Sequence, residues 1–411
     1  MIYNEGYGLT PQPHYIGDAE GCRVFGQDGK EYIDLAMGGG SLILGHAHPV
    51  VVEAVEEQAA KGSICTAPHA AVHEMDEALD RCIPWLPGRV WCNSGSEAVM
   101  RLVRIARAVT GKRKIGLFSG CWHGSWDGTL VEEDYSYNLS SDASEPFMKR
   151  KSAGIPGRPS DSIVFLPYRE SAAFSLIRDA KDELACVLIE PVQGSNPSGD
   201  VEGFLANLRH TTTDCSVLLA FDEVVTGFRL GLGGGQEHFG VHGDLAAYGK
   251  IIGGGLPVGM VAGTQDIMAK ARSEGVFYGG TFSANPLTIA AGLATLRYLT
   301  QHPETYRQLA DMGTLLRSSV NRDCALHGRP AHMIGAGSIS RLILAPSPIH
   351  SRRERDLKEP DAAAQGKYYA AVKDRGVWIG TNRIQFLSTA HGIPKVAQAA
   401  QAICDSLPPR W

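Results

Sequence analysis

Nine cysteines are scattered along the 411 residues, and no two stand as Cys-x-x-Cys. Their odd number and irregular spacing argue against a disulfide framework and suit reduced structural thiols in a cytosolic protein. No apolar run reaches membrane-spanning length, and no N-terminal stretch resembles a signal peptide, so neither a membrane span nor a secreted product is expected. A basic excess is also missing. The net charge is −5, which argues against a nucleic-acid platform and against a polybasic membrane surface. His46, His48, His123 and His242 do not fall at metal-ligand spacings, so no metal is expected. Two glycine motifs fail. Gly243 to Gly249-Lys250 has five intervening residues instead of the four of a P-loop, and Ile251 stands where that motif needs Ser or Thr. Gly231-Leu232-Gly233-Gly234-Gly235-Gln236 lacks the last glycine of a dinucleotide fingerprint. No internal repeat is evident. What is present is 44% hydrophobic and 20% charged residues, enough for a real core, and 48 glycines that cluster near the segments described below. The length allows two or three domain-sized units, or one large α/β unit with an appendage.

Along the chain, Val24 to Asp34 reads as a hairpin with Asp28-Gly29 at its turn. Pro49 opens a helix through about Lys61, with Val50, Val51, Ala54, Val55 and Gln58 on one face. From about residue 88 to 285 short apolar strands alternate with helical stretches. Residues 89–92, 114–118, 186–189 and 216–221 are strands of this kind, continuous rather than alternating, as in a sheet covered on both faces. Residues 134–162 lack periodicity and read as a long loop. Helices are expected after Asn285-Pro286, near 303–321 and near 394–406, and a strand over 340–344. Residues 350–362 read as a charged surface loop.

The most informative pair of segments is Asp222-Glu223-Val224 and, twenty-eight positions after Asp222, Lys250 in Tyr248-Gly249-Lys250-Ile251-Ile252-Gly253-Gly254-Gly255. A lysine set among glycines and apolar residues is poorly solvated. Its amine pKa falls, and it becomes a nucleophile able to form a Schiff base with a carbonyl cofactor. An aspartate at the end of an apolar strand is what pyridoxal phosphate needs opposite its ring nitrogen. Either residue alone would read as a surface lysine or a helix cap. Asn93-Ser94-Gly95-Ser96-Glu97 follows a strand and opens a helix, with Ser94 and Glu97 fitting a capping box. Gly95 and Ser96 there offer N–H groups and a hydroxyl to an anion, although an ordinary capped helix reads the same way. Trp122 in Cys121-Trp122-His123-Gly124 could stack on a planar ring or fill the core. Thr281 in Gly280-Thr281-Phe282-Ser283 could bind phosphate or simply sit in a turn.

These motifs, with Glu190-Pro191-Val192-Gln193-Gly194 and Gly45-His46-Ala47-His48-Pro49, resemble class III pyridoxal-phosphate aminotransferases, and within them the glutamate-1-semialdehyde 2,1-aminomutase branch, over nearly the whole chain. The resemblance implies an α/β chain of fold type I. A large domain (49–300) would carry a seven-stranded, mostly parallel mixed sheet. A small α+β domain would come from both termini (1–48 and 301–411). It further implies a cytoplasmic homodimer acting on a small-molecule amino donor and a carbonyl acceptor. Lys250 would hold pyridoxal 5'-phosphate, Asp222 would face the pyridine nitrogen, and Val224 and Trp122 would flank the ring beside His123. Gly95 and Ser96 would bind the phosphate, joined by Thr281 of the neighbouring subunit, and Glu190 matches a carboxylate near the site.

The chain departs from the aminomutase pattern at three places, one of them Ser63-Ile64-Cys65-Thr66-Ala67-Pro68, which differs from the aromatic-containing version of that branch. Tyr3-Asn4-Glu5-Gly6-Tyr7 contains no arginine where that branch carries one, and Arg383 stands in a segment where the branch has an acidic residue. Arg383 could take a substrate carboxylate, with Ser195 as a second substrate contact, or lie on the surface. An intermolecular aminotransferase is the first reading. An aminomutase is the second, and a non-catalytic homologue is the third.

Overall fold

The structure is a computed structural model that describes residues 15–65, 67–134, 148–347, 349–380 and 383–408. The chain divides into two compact units. One comprises Ala54–Gln193 and Asp200–Arg297, the other Met1–Glu53, Gly194–Gly199 and Tyr298–Trp411.

The first unit is built on a seven-stranded sheet. Its strand order is Gly88–Cys92, Gly259–Gly263, Leu245–Gly249, Leu218–Asp222, Leu184–Ile189, Lys114–Phe118 and Ile163–Leu166. Gly259–Gly263 runs antiparallel to both its neighbours, and the other pairings are parallel. This is the mixed, mostly parallel sheet that the family resemblance implies. All six residues of Leu184–Ile189 are buried, as are all five of Leu245–Gly249. Such strands have no solvent face, which is why they show no alternation. The helix Gly95–Thr110 closes one face of the sheet, burying Ala98, Val99, Leu102, Val103, Ile105, Ala106 and Val109 at the 3.6-residue period.

The second unit holds two smaller sheets. Ile16–Glu20, Arg23–Gly26 and Glu31–Asp34 form an antiparallel meander, and Val377–Trp378 adds in parallel beside Glu31–Asp34, with Ile33 opposite Val377. The hairpin turns at Asp28-Gly29, as expected, and pairs Val24 with Tyr32. His332–Ala336, Ile339–Ile343 and Ile384–Phe386 form the second, antiparallel sheet. Helices Glu304–Leu326 and Gly392–Ser406 belong to this unit and lie where the periodicity placed them. On Pro49–Lys61 the expected face holds: Gln58 is buried and Val50, Val51, Ala54 and Val55 are half-buried, against exposed Val52, Glu53, Glu56 and Glu57.

Two loop assignments need correction. Within 134–162, residues 135–147 lie outside the described residues, but Met148–Arg150 pairs antiparallel with Val131–Glu133, and Pro159–Asp161 makes a short 3-10 turn. Strands of three residues are too short to register as a period. Within 350–362, Arg352–Lys358 is a helix. Ser351 caps it by accepting from the Glu354 N–H at 3.1 Å, and Glu354 pairs with Lys358 at 2.6 Å. Dense charge there masked a capped helix. All nine cysteines are unpaired. Among the described residues no helix is long and apolar enough to cross a membrane.

Candidate active site

Lys250 follows directly on the central strand Leu245–Gly249 and begins a 3-10 turn, Lys250–Gly253. Its φ of +53° is left-handed, an uncommon state for a non-glycine residue and one that collects at functional sites. The turn is closed by Gly254 at φ +60°, where a Cβ would lie 2.5 Å from the Ala291 carbonyl oxygen. Only glycine allows that approach. Part of Lys250's area stays open, yet the surrounding protein makes desolvation the leading influence on its amine and pushes its pKa down. The carboxylates of Asp222 and Glu190 oppose the shift, and the Arg229 guanidinium adds to it. A larger neutral fraction of the amine is the state that attacks a carbonyl.

Asp222 ends the adjacent parallel strand, with its backbone opposite Ala247. It is 4% exposed. Its Oδ1 accepts from the Val224 N–H at 3.1 Å, and its Oδ2 lies 2.8 Å from His123 Nδ1. A charged aspartate so deeply buried needs such donors. With Nδ1–H donating, Nε2 of His123 is the remaining polar atom, and it is buried with no partner among the described residues.

The helix Gly95–Thr110 presents its N-terminus beside this strand end. Ser94 caps it, accepting from the Glu97 N–H at 3.1 Å. The capping box read from the sequence is only half made. Glu97 reaches past Ser94 to the N–H of Asn93, at 2.9 Å, and turns its other oxygen to Arg101. Helix geometry leaves the N–H groups of Gly95 and Ser96 without intrahelical acceptors, in the positive end of the helix dipole. Ser96 Oγ accepts from the Ser125 N–H at 3.1 Å, and its own proton stays available for donation. A Cβ on Gly95 would lie 2.9 Å from both Cγ1 and Cγ2 of Val224, so glycine keeps this floor flat.

Arg101 was not singled out by sequence reasoning. It is buried and donates to the Trp91 carbonyl at 2.7 Å, to the Gly279 carbonyl at 3.0 Å and to Glu97. It thereby ties the capped helix to the loop carrying Thr281, which is exposed in the single chain. The Glu97–Arg101 spacing of four was the available signal. Trp122 is 48% exposed. Its N–H donates to buried Glu190 at 2.8 Å, and Lys151 Nζ lies 4.7 Å from its ring centroid. That cation, also missed, comes from the stretch read as loop.

The structure thus brings Lys250, Asp222, His123, Glu190, Val224, Gly95, Ser96 and Trp122 into one unit. A desolvated amine, a buried carboxylate, a buried histidine nitrogen lacking a partner among the described residues and a helix N-terminus with a glycine floor together fit pyridoxal phosphate. Ser195 and Arg383 belong to the other unit. Arg355 donates to the Ser195 carbonyl, and the Arg383 guanidinium stands 5.1 Å over the Tyr369 ring. Tyr3 to Tyr7 lie outside the described residues.

The aminotransferase class-III family model matches residues 6–404, and the chain belongs to this pyridoxal-phosphate-dependent family. The glutamate-1-semialdehyde 2,1-aminomutase of Methanobrevibacter smithii is 36% identical over 403 residues, covering 96% of this chain and 92% of that protein. Among solved structures, an omega-transaminase from Sphaerobacter thermophilus superposes with a TM-score of 0.88 at 33% identity, covering 97% of this chain and 91% of that one. A β-phenylalanine aminotransferase from Variovorax paradoxus gives 0.86 at 28% identity, covering 98% and 89%.

Proposed function

We propose that this enzyme moves an amino group between a small amino donor and a carbonyl acceptor, with Lys250 as the residue that binds pyridoxal phosphate. The observation that carries this is the desolvated Lys250 amine at one strand end with the buried Asp222 carboxylate at the next. When bound, the cofactor supplies an aldehyde for the amine and a ring that takes up electron density. Asp222 would supply the negative charge for the cofactor's ring nitrogen, and His123 positions Asp222 through the 2.8 Å contact. Gly95 and Ser96 would hold the phosphate at the helix N-terminus. Val224 and Trp122 would hold the cofactor ring. Glu190 fixes Trp122 through its backbone N–H. Lys250 Nζ would also serve as the base for the substrate Cα proton, a task suited to a lysine with a lowered pKa. Thr281 completes the phosphate site of a partner subunit in a homodimer. Arg383 and Ser195 are the candidate substrate contacts.

A second reading, an intramolecular aminomutase, is favoured by the 36% identity to a protein of that name. Arg383, where that branch has an acidic residue, supports the intermolecular reading. Retention of both Lys250 and Asp222 speaks against a non-catalytic homologue. The test is the visible spectrum of the holoprotein with amino donors added singly. Bleaching of the lysine-bound cofactor band by a donor supports aminotransfer. A band that persists with every donor points to the mutase, and absence of any band after adding cofactor sinks both.

A further inference from the structure

The helix Gly95–Thr110 connects two regions through one set of polar side chains. At its N-terminus, Glu97 accepts from the Asn93 N–H at 2.9 Å and from the Asn93 side-chain amide at 3.2 Å, which fixes the residues leading into Gly95 and Ser96. One turn further on, Arg101 pairs with the other oxygen of Glu97 and donates to the carbonyls of Trp91 and Gly279, at 2.7 and 3.0 Å. Arg104, exposed and three residues along, donates to the Phe277 carbonyl at 3.0 Å.

Residues 277–281 depend on these two arginines. Tyr278 packs against the core of the unit. Among the described residues, the hydrogen bonds that join 277–281 to other elements are those from Arg104 and Arg101, and the Gly280 carbonyl accepts from Ser283 inside the loop. The Arg101 side chain is only 2% exposed, and three acceptors hold its planar guanidinium in one orientation. Gly280 lets the loop come close, since a Cβ there would lie 3.1 Å from Arg101 Nη2 and 2.5 Å from Ser283 Oγ. The Gly279 carbonyl is thus pinned from the buried side. Thr281 follows two residues later and is exposed.

We propose that Arg101, with Arg104 beside it, is the positioning residue for Thr281 at the phosphate site of the partner subunit. This rests on the reading of Thr281 as a phosphate ligand shared across a homodimer. The helix then serves two phosphates. Its N-terminal N–H groups face the one in its own subunit, and its arginines set the loop that reaches the one in the other. A threonine on a loose loop would lose conformational freedom on meeting a phosphate, and a carbonyl pinned two residues away removes part of that cost in advance. The effect of Arg101 is therefore felt in trans, at a cofactor that its own subunit does not bind.

The test uses mixed dimers in which one chain reports and the other, carrying Lys250→Ala, is silent. The two chains are co-expressed with different tags, purified through both, freed of cofactor and titrated with pyridoxal phosphate. The lysine-bound visible band then reads the reporter chain's site. Arg101→Met in the silent chain should raise the half-saturating cofactor concentration about tenfold, the scale of one hydrogen bond to a charged group, and the same change in the reporter chain should raise it less. Arg101→Lys in the silent chain should fall between, because an ammonium can pair with Glu97 without spanning both carbonyls. Arg104→Gln, at the exposed side, should act in the same direction, and it carries the test if circular dichroism shows that Arg101→Met does not fold. Folded Arg101→Met and Arg104→Gln that change nothing from the silent chain, or that act only from the reporter chain, would overturn the proposal. Thr281→Val in the silent chain separates its failure from that of the shared site. If this variant weakens cofactor binding and the arginine variants do not, Thr281 is a shared ligand that Arg101 does not position. If it changes nothing, the shared phosphate site is itself wrong and the role of Arg101 falls with it.

Discussion

Replacing Gly95 by alanine tests the floor of the proposed cofactor site. Gly95 is the first residue of the helix Gly95–Thr110, and alanine is the better helix former by at most about 1 kcal/mol. The new Cβ would sit 2.9 Å from Val224 Cγ1 and Cγ2, well inside the usual carbon contact of about 3.5–4.0 Å. Val224 has little room to yield. Its N–H is held by Asp222 at 3.1 Å, and a β-branched side chain has few rotamers. Overpacking of this kind costs about 1–3 kcal/mol, so Gly95→Ala should destabilise the apoprotein by about 1 kcal/mol net. Displacement of Val224, which would hold the cofactor ring in the proposed site, should also weaken cofactor binding, by about tenfold for each 1.4 kcal/mol. Val224→Ala removes both γ-carbons and leaves the Val224 Cβ at an acceptable 3.5 Å. The double variant should therefore recover, with a favourable coupling of about 1–2 kcal/mol. Urea unfolding of the four apoproteins and cofactor titration measure both quantities. A double variant no better than the sum of the single ones would show that Gly95 and Val224 do not share this space.

Lys250→Ala should abolish both the visible band and turnover; normal turnover in that variant would refute the central assignment. His391 provides a pH test. Burial lowers its pKa from 6.5 to about 4, and its Nδ1 already accepts from the Ser388 N–H at 3.0 Å, so a proton there would face another donor. The unfolded chain then binds more protons between pH 4 and 6.5. The stabilisation is complete above pH 6.5 and is lost as pH falls towards 4, by about 3 kcal/mol in all. His391→Gln should flatten the stability profile across that window, and an unchanged slope would count against it. Arg101→Met leaves Glu97 and two carbonyls without their donor and should cost about 3 kcal/mol or more in urea unfolding, with faster proteolysis near Gly279. A loss within about 0.5 kcal/mol would mean that the buried arginine ties nothing down.

The parts of the site legible in the sequence are those whose meaning is local. Gly249-Lys250 and the run of small residues after it announce a desolvated amine, and Asp222 is marked by the apolar strand it ends. His123 could be named but not given its task, because its partner Asp222 lies 99 positions away. Arg101 reaches across 178 positions to Gly279, and nothing in its neighbourhood hints at a loop tether. Short elements were lost for a related reason: three paired residues at Met148–Arg150 and seven helical ones at Arg352–Lys358 are too brief for periodicity to outweigh their polarity.

The pairing of Ile33 with Val377 has a consequence for how the chain comes off the ribosome. The two positions are 344 residues apart. At 5–20 residues per second, the edge of Glu31–Asp34 waits about 17–70 s for its neighbour to be synthesised. Throughout that interval the first three strands exist as a nascent meander with an open hydrogen-bonding edge, a template for pairing with other chains. The large sheet, by contrast, is complete in sequence by Gly263 and can fold while translation continues. The C-terminal segment must therefore return to strands made at the beginning, and chains that stop short of Val377 keep that edge exposed.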